Sequence, residues 1–598
     1  MKRFKLLFSF LKGSAGIYTL AIVLCLISVW ISLFVPLVVR VVIDSVIGKE
    51  DFTNTGLLGY IFSFRTGNIK KDIFTFSFLG VAFILVSSLM EFLYTALITV
   101  ATQDAGQKMK NRMYEHIQRL DYEYHAKAEA GDLIQRCTTD IENSMIFLSE
   151  HFINILRTAF IMFVTISMML SLSIPMSVIS MSLVPFIFVY SFYFFSRAQK
   201  LFEAQEEVEA RLSSVIQENL TGVRVVKAFA RQEYEIKKFD EVNSLNQKKV
   251  MKIIGAMSQF WSASNGLSFL QIGVVLGVGS YFVVKGVFGV GMVIAFFTYV
   301  ERIMWPVKQL GRLLAESGKT AVSLKRLTEV LVNEQEDLND TDFKPEINGD
   351  IEFIGVSFSY PNGTHVLKNI SFKIKKGESA ALIGPTGAGK TTLIHLLHRL
   401  YDDYTGTILL DGIDIKKINK RHLRENLGLI LQEPFLFNKS VKENIRYAKK
   451  ESLDEEVFNA AKIASVDKSI KDFEEGYDTT VGEGGVTLSG GQKQRLAIAR
   501  TLILENPIVI FDDSLSAVDT ETDRIIRKNL KEGKVNPTSI IISHRVSTVR
   551  DADRILVLEE GRLTANGTHN EIKDKDNLYR RILDIQSEIE REFHTTFA

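Results

Sequence analysis

Six apolar runs in roughly the first half of the sequence constrain the fold of this chain more than any other feature. They cover residues 17–39, 74–98, 153–172, 176–195, 260–284 and 290–310. Each is close to the length of about 20 apolar residues that a helix needs to cross a bilayer. We therefore expect a helical transmembrane domain over residues 1–325, with one membrane-spanning helix for each run.

Charge sets the orientation of these helices. The basic residues Lys2, Arg3, Lys5 and Lys12 precede the first run, and positive charge is typical of the cytoplasmic side of a membrane. Six crossings then return the chain to the cytoplasm near Arg312. The connections 99–152 and 196–259 are too charged to lie in lipid, so we expect long cytoplasmic helical extensions. Turns are predicted near 122–133 and 222–231.

The pattern changes after the last run. A polar linker is predicted over 326–348 and an α/β domain over 349–598. Residues 351–360 alternate like a β-strand, and residues 379–400 have the pattern of a buried strand, a Gly-rich turn and a helix. The formal net charge of +1 gives no electrostatic reason to expect a nucleic-acid partner.

The Gly-rich turn carries the first chemical motif. It fits the P-loop pattern, in which backbone N–H groups face phosphates and a lysine reaches the β- and γ-phosphates. The threonine after that lysine suits Mg²⁺. The residues expected to bind nucleotide here are Gly384, Pro385, Thr386, Gly387, Ala388, Gly389, Lys390, Thr391 and Thr392.

Two further segments fit a nucleotide site. Residues 508–512 form an apolar run that ends in Asp512, which suits a Mg²⁺ site at the carboxyl end of a strand neighbouring the P-loop strand. Residues 488–492 read Leu-Ser-Gly-Gly-Gln and open a helix, so their N–H groups and the Ser489 hydroxyl could hold an anion. An ordinary helix cap is the alternative for this pentapeptide.

Together, these three segments in this order resemble an ATP-binding cassette. The resemblance implies that Tyr360 stacks on adenine, that Gln432 contacts Mg²⁺ and the attacking water, and that His544 contacts the γ-phosphate. It assigns Thr391, Gln432 and Asp512 to the metal. It also implies that four signature residues contact the ATP of a second cassette: Ser489, Gly490, Gly491 and Gln492.

The membrane half resembles that of bacterial multidrug-type ABC exporters. Residues 121–140 and 218–233 are similar to the two regions that couple membrane helices to cassettes in that family. The resemblance implies ATP-driven export of hydrophobic or amphipathic compounds by a dimer of half-transporters that alternates its access. A lipid flippase is the runner-up, and an ATP-gated channel or regulator is a further alternative. A soluble ATPase is disfavoured by the apolar runs, and an importer by the fusion of both halves.

One position departs from the cassette pattern. The family usually places Glu directly after the Mg²⁺-site Asp, as the catalytic base, whereas this chain has Asp513. Asp is one methylene shorter, and a misplacement of about 1 Å can cost roughly 10²-fold in rate. We therefore expect the ATP site on this chain's own P-loop to hydrolyse ATP slowly. We also expect this chain to be one half of a heterodimer whose partner carries Glu at the equivalent position and an altered signature motif. The alternative is a homodimer, either with two slow sites or with an Asp513 that still reaches the nucleotide through a shifted water.

Ionisable residues inside the apolar runs are candidate substrate contacts. Glu91 lies in the second run, and Glu301 and Arg302 lie in the sixth. Such groups usually face a partner or an aqueous cavity. A structural ion pair, or a place near the interface, is one reading. The other makes Glu91 a contact for cationic amphipathic cargo.

Overall fold

The computed structural model describes residues 2–48, 61, 63–361, 363–533 and 535–585. The chain divides into two compact units. The first comprises Met1–Arg119 and Ala128–Glu334, and the second comprises Leu120–Lys127 and Gln335–Ala598. A short segment that lies within the sequence of the first unit is thus part of the second.

The first unit is helical. Its helices are α1 Lys2–Ser9, α2 Ala15–Ser32, α3 Val35–Arg40, α4 Ile69–Gln118, α6 Ala130–Gln135, α7 Ile141–Ile146, α8 Phe152–Leu172, α9 Ile174–Met181, α10 Val184–Thr221, α11 Val223–Ala228, α12 Gln232–Val284 and α13 Val290–Leu331, and α5 Tyr122–Lys127 belongs to the second unit. Three π-helical stretches, Val41–Ile47, Arg136–Asp140 and Phe147–His151, continue the helices before them.

Six helical runs among the described residues are long and apolar enough to cross a membrane. They are Ala15–Ile47, Ile69–Gln118, Ala130–Leu172, Ile174–Thr221, Gln232–Val284 and Val290–Leu331. Most of them continue well past their apolar part as charged helix, which agrees with the predicted extensions. The short helices α5, α6 and α11 lie where the turns were predicted.

The lipid-compatible surface of this unit is visible on α4. Phe74, Phe78 and Phe92 are exposed there, at spacings that place them on one face of the helix. Tyr299 of α13 is fully buried in the helical core, and its hydroxyl donates to the Leu33 carbonyl oxygen at 3.0 Å. The buried polar group is therefore satisfied, as an apolar interior requires.

The start of α13 is fixed by a buried carboxylate. Asp44 is 3% exposed, and its Oδ1 accepts a hydrogen bond from the Gly291 N–H at 2.5 Å. This is the interaction that caps a helix N-terminus. A Cβ on Gly289 would lie 2.4 Å from Asp44 Oδ1, and a Cβ on Gly291 would lie 2.8 Å from the Arg40 carbonyl oxygen. Glycine is therefore required at both positions.

The second unit contains two sheets. An antiparallel sheet has the order β2–β1–β4–β5, and a six-stranded sheet has the order β10–β9–β3–β8–β7–β6. The strands are β1 Ile351–Ser359, β2 His365–Ile374, β3 Ser379–Ile383, β4 Tyr404–Leu410, β5 Ile413–Asp414, β6 Leu427–Ile430, β7 Ile508–Asp512, β8 Thr538–Ile542, β9 Arg554–Glu559 and β10 Arg562–Gly567. All pairings in the larger sheet are parallel except β9 with β10.

Helices accompany these sheets. They are α14 Lys390–Leu397, α15 Lys420–Glu425, α16 Val441–Arg446, α17 Asp454–Ile463, α18 Asp467–Lys471, α19 Gly490–Leu502, α20 Thr520–Lys531, α21 Val546–Arg550 and α22 His569–Ile572. With the six long apolar helices, this α/β unit confirms the predicted fold class. One detail differs from the expectation, because β8 lies between the P-loop strand β3 and the Asp512 strand β7.

Candidate functional site: a nucleotide cavity and a membrane cavity

The P-loop joins the end of β3 to the start of α14. Gly384 follows the strand, and a Cβ there would lie 2.2 Å from the Leu558 carbonyl oxygen. Gly389 has φ +102° and precedes the first residue of α14. Only glycine adopts this backbone readily, so the sequence gives the loop its shape and leaves the helix N-terminus open toward an anion.

The ammonium of Lys390 is held against this loop. Its Nζ donates to the carbonyl oxygens of Gly384 at 2.8 Å and Pro385 at 3.0 Å. Burial lowers the pKa of Lys390, while the carboxylates of Asp513 and Asp512 oppose that shift. The loop thus positions a cation beside the N-terminus of α14, where the phosphates of a nucleotide would lie.

Oxygen ligands for a divalent cation meet beside the loop. The Thr391 hydroxyl lies 3.4 Å from Asp512 Oδ1. Burial raises the pKa of Asp512, and the hydrogen bond from Thr391 opposes the rise. Gln432 lines the same cavity. A hydroxyl, a carboxylate and an amide oxygen are ligands that Mg²⁺ accepts, so the residues present fit the ion.

Asp513 occupies a constrained position next to these groups. Its φ is +47°, a left-handed conformation that is uncommon outside glycine and occurs often at functional sites. Its N–H donates to the Ile542 carbonyl oxygen at 3.2 Å, and its Oδ2 accepts from Gln432 Nε2 at 3.4 Å. The end of β7 therefore aims this carboxylate at the cavity. His544, which follows β8, lines the cavity too.

Tyr360 brings an aromatic ring to the same cavity, and other aromatic side chains pack behind it. The Tyr360 hydroxyl lies 2.9 Å from Thr392 Oγ1, and its ring meets that of Tyr401 edge-to-face at 5.4 Å. Tyr401 in turn meets Tyr122 of α5 at 5.8 Å, and Tyr122 meets His395 at 5.1 Å. Tyr401, Tyr122 and His395 were not predicted from the sequence, because none of them belongs to a motif. His395 lies one turn after Thr391 on the same helix, a spacing that could have drawn attention to it.

The P-loop, the end of β7 and Tyr360 border a cavity of about 380 Å³. Most predicted nucleotide and catalytic residues line it: Tyr360, Thr386, Gly387, Gly389, Lys390, Thr391, Thr392, Gln432, Asp512, Asp513 and His544. Gly384, Pro385 and Ala388 belong to the loop behind it.

The signature residues do not join this cavity. Among the described residues that line it, none lies between 489 and 492. Ser489 instead caps α19, because its Oγ accepts from the Gln492 N–H at 3.3 Å and Gln492 Oε1 accepts from the Ser489 N–H at 2.9 Å. The helix cap considered from the sequence is therefore present in this chain.

A larger cavity of about 850 Å³ lies in the helical unit. The three predicted substrate residues, Glu91, Glu301 and Arg302, all line it. Glu91 Oε1 forms an ion pair with Arg157 Nη2 at 3.1 Å, which matches the structural reading of Glu91. Arg157 went unnoticed in the sequence analysis, although a charge within the third apolar run is the same signal that marked Glu91.

Known protein families match both halves of the chain. Residues 18–307 match the ABC transporter transmembrane region, and residues 367–516 match the ABC transporter family of ATP-binding domains. Two bacterial relatives illustrate the similarity. The uncharacterised ABC transporter ATP-binding protein YknU of Bacillus subtilis (strain 168) is 35% identical over 80% of this chain and 82% of its own length.

The second relative is a putative multidrug export ATP-binding/permease protein of Staphylococcus aureus (strain NCTC 8325 / PS 47). It is 32% identical over 95% of this chain and 96% of its own length. Among solved structures, a bacterial Atm1-family ABC exporter with ATP bound superposes with a TM-score of 0.77 at 25% identity, covering 95% of this chain and 98% of that one. The chain therefore belongs to the ABC transporters, as a half-transporter whose six-span membrane domain is fused to a cytoplasmic cassette that binds and hydrolyses ATP to drive export.

Proposed function

We propose that this chain is one half of a heterodimeric exporter of amphipathic compounds, and that the ATP site built on its own P-loop hydrolyses slowly. The observation that carries the proposal is the carboxylate of Asp513, which faces the cavity at the place where the family uses Glu. Its Oδ2 lies within reach of the Gln432 amide. The shorter side chain holds its oxygens farther from the nucleotide than a Glu would, so the attacking water is poorly oriented.

The other residues of the site have separate roles. Lys390 binds the β- and γ-phosphates, Tyr360 stacks on the base, and His544 contacts the γ-phosphate. Thr391, Asp512 and Gln432 would hold Mg²⁺, which neutralises phosphate charge when it is bound. The slow step is therefore proton removal and water positioning at Asp513, whereas binding of ATP is preserved.

The position of the signature supports a two-chain site. Ser489–Gln492 is intact in sequence but does not line the chain's own cavity. In the proposed dimer, this segment faces the ATP held by the partner's P-loop. This chain would then supply a complete signature to the fast site and a weak base to the slow one.

The heterodimer is tested by exchanging the catalytic carboxylates. This chain is expressed alone and with a candidate second half-transporter that carries Glu at the position equivalent to Asp513. In the pair, Asp513→Glu should raise ATP hydrolysis little if the partner's signature is altered. Glu→Gln in the partner should nearly abolish it. A fully active, transport-competent assembly of this chain alone would exclude the heterodimer and favour a homodimer.

The proposed cargo class rests on the membrane cavity. Its lining mixes hydroxyl groups, charged side chains and apolar surface from Val29, Ile161 and Trp305, as an amphipathic molecule requires. The multidrug names of several relatives point to the same class. The test is ATP-dependent uptake of fluorescent amphipathic compounds into inside-out vesicles that contain the pair. Uptake that persists when Lys390→Ala is combined with the equivalent lysine substitution in the partner's P-loop would contradict ATP-driven export.

A further inference from the structure

We propose that the membrane cavity selects zwitterionic amphipathic cargo, with Arg302 binding the anionic group and Glu301 the cationic group. This inference rests on the proposed export of amphipathic compounds and names their headgroup. It starts from the charges of the cavity lining, which are Glu91, Arg157, Glu301, Arg302 and Arg312.

Three of these five charges are already neutralised. Glu91 pairs with Arg157 at 3.1 Å, and Arg157 Nη1 also donates to the Tyr94 hydroxyl at 3.1 Å. Arg312 pairs with Glu316 at 2.9 Å, and Glu316 also meets His151 at 3.2 Å. These pairs account for the charge they bring into the membrane, so they leave no net attraction for a charged ligand.

Arg302 and Glu301 are the two charges of the cavity lining that no ion pair among the described residues neutralises. Arg302 Nη1 donates to the Ser32 carbonyl oxygen at 3.0 Å, and no carboxylate among the described residues forms an ion pair with its guanidinium. A guanidinium has five N–H donors, so most of its donors stay available. No cation among the residues that the structure describes pairs with Glu301. Both side chains are exposed to the cavity.

The two charges cannot neutralise each other well. Consecutive residues on a helix project about 100° apart and do not face each other. An unpaired charge in a membrane-spanning helix is costly and usually marks a binding site or an ion path. Two opposite, separate charges in one cavity are complementary to a ligand that carries both signs.

Nearby groups fit the rest of such a ligand. Trp305 lines the same cavity, and its flat apolar face can contact a methylated ammonium group. The hydroxyls of Ser28, Ser32 and Thr298 already donate to backbone carbonyl oxygens, so the anionic group is left to the guanidinium of Arg302. A purely cationic cargo would instead meet the guanidinium of Arg302 beside Glu301. A purely anionic cargo would meet the Glu301 carboxylate beside Arg302.

Four probes with the same dodecyl tail test this selection: dodecylphosphocholine, dodecyl phosphate, dodecyltrimethylammonium and dodecyl maltoside. Binding to the nucleotide-free pair is measured in phosphatidylglycerol nanodiscs by tryptophan fluorescence, with lipid-only nanodiscs subtracted. We expect the zwitterionic probe to bind at least about tenfold more tightly than the uncharged one, since it gains two charge-assisted contacts that the uncharged probe lacks.

Two variants should shift the preference in opposite directions. Arg302→Gln should make the cationic probe bind as well as the zwitterionic one, and Glu301→Gln should do the same for the anionic probe. Arg312→Gln combined with Glu316→Gln is the matched control, because it removes an arginine together with the carboxylate that neutralises it, and it should leave the order unchanged. Equal binding of all four probes, or an order that neither variant changes, would overturn the inference.

The source of the ligand is resolved by adding phosphatidylethanolamine to the nanodiscs. If this zwitterionic lipid competes with the probe, the site binds a lipid headgroup. If the lipid does not compete, the site binds a soluble amphipathic compound. Both results support zwitterion selection. Failure of the proposed function has a different signature, which is the lack of ATP-dependent uptake of any amphipathic probe. Uptake without headgroup preference would refute only the present inference.

Discussion

Lys390 shows what a single residue contributes to nucleotide binding. Its ammonium donates to two loop carbonyl oxygens at the N-terminus of α14. When nucleotide is bound, it would contact phosphate oxygens instead. Hydrogen bonds to charged groups contribute about 1.5–3 kcal/mol. Lys390→Ala should therefore weaken ATP binding to this chain roughly 10- to 100-fold, measured with a fluorescent ATP analogue. Lys373→Ala, an exposed lysine paired with Glu352 at 2.8 Å, is the control. Equal affinity in the Lys390 variant would contradict the phosphate role.

His398 makes the stability of the cassette depend on pH. It is 5% exposed at the end of α14, and burial lowers the pKa of His398 to about 4. The folded state thus favours the neutral ring relative to an unfolded chain, in which histidine titrates near 6.5. Stability is retained above that value and is lost as the pH falls toward 4. We expect a loss of about 2 kcal/mol between pH 7 and pH 5 from this residue.

Chemical denaturation of the full-length protein at both pH values measures this loss. His398→Gln removes the titrating group and should reduce the loss by a similar amount. His365→Gln, a change at an exposed histidine on β2, should leave it unchanged. The same pH dependence in the His398 variant and the parent protein would show that other groups carry it.

At the scale of elements, α5 affects the nucleotide site through aromatic rings. Tyr122 contacts Tyr401, and Tyr401 contacts Tyr360. Aromatic pairs contribute about 0.5–1.5 kcal/mol beyond their buried area. Tyr122→Leu should therefore weaken ATP binding at this chain's own P-loop site roughly two- to tenfold by loosening Tyr360. Titration of this chain with a fluorescent ATP analogue measures the affinity.

The control for this prediction lies on the same helix. Tyr124 packs against His125 at 5.9 Å, so Tyr124→Leu makes the same chemical change away from the Tyr360 ring. Tyr122→Phe keeps the ring and should restore the affinity for ATP. Binding of tripolyphosphate, which has no base, should be the same in all three variants. A loss of tripolyphosphate binding in Tyr122→Leu would indicate general damage to the cassette.

The elements differ in how far the sequence predicted them. The P-loop was predicted because a fully buried strand, a glycine turn and a helix follow each other within a short stretch, and the long helical extensions because their charge is incompatible with lipid. The place of β8 between β3 and β7 depends on how distant strands pair, which no local pattern records. Tyr122 was missed for the same reason, since it meets Tyr401 only in the folded chain.

At the scale of the whole molecule, the charge pairing in the membrane cavity could not be predicted from the sequence. Glu91, Glu301 and Arg302 were recognised as ionisable residues in apolar runs, and the structure brings all three to one cavity. Which of them is neutralised depends on α8, because Arg157 reaches Glu91 from that helix. The sequence therefore pointed to three of the residues that line the cavity but did not distinguish a structural pair from the two charges that no ion pair neutralises.

The division of the chain into units has a consequence for grafting and for recombination between genes. Leu120–Lys127 belongs to the cassette's compact unit although first-unit residues flank it on both sides. The compact unit that contains the cassette is therefore not one continuous stretch of sequence. A chimaera that receives residues 335–598 from a relative should lose thermal stability and ATP-dependent transport unless residues 120–127 are exchanged as well. Melting temperatures of both chimaeras measure the difference, and equal values would show that any relative's α5 serves. Gene exchange at residue 335 would thus leave a transplanted cassette in one compact unit with a helix of the recipient protein.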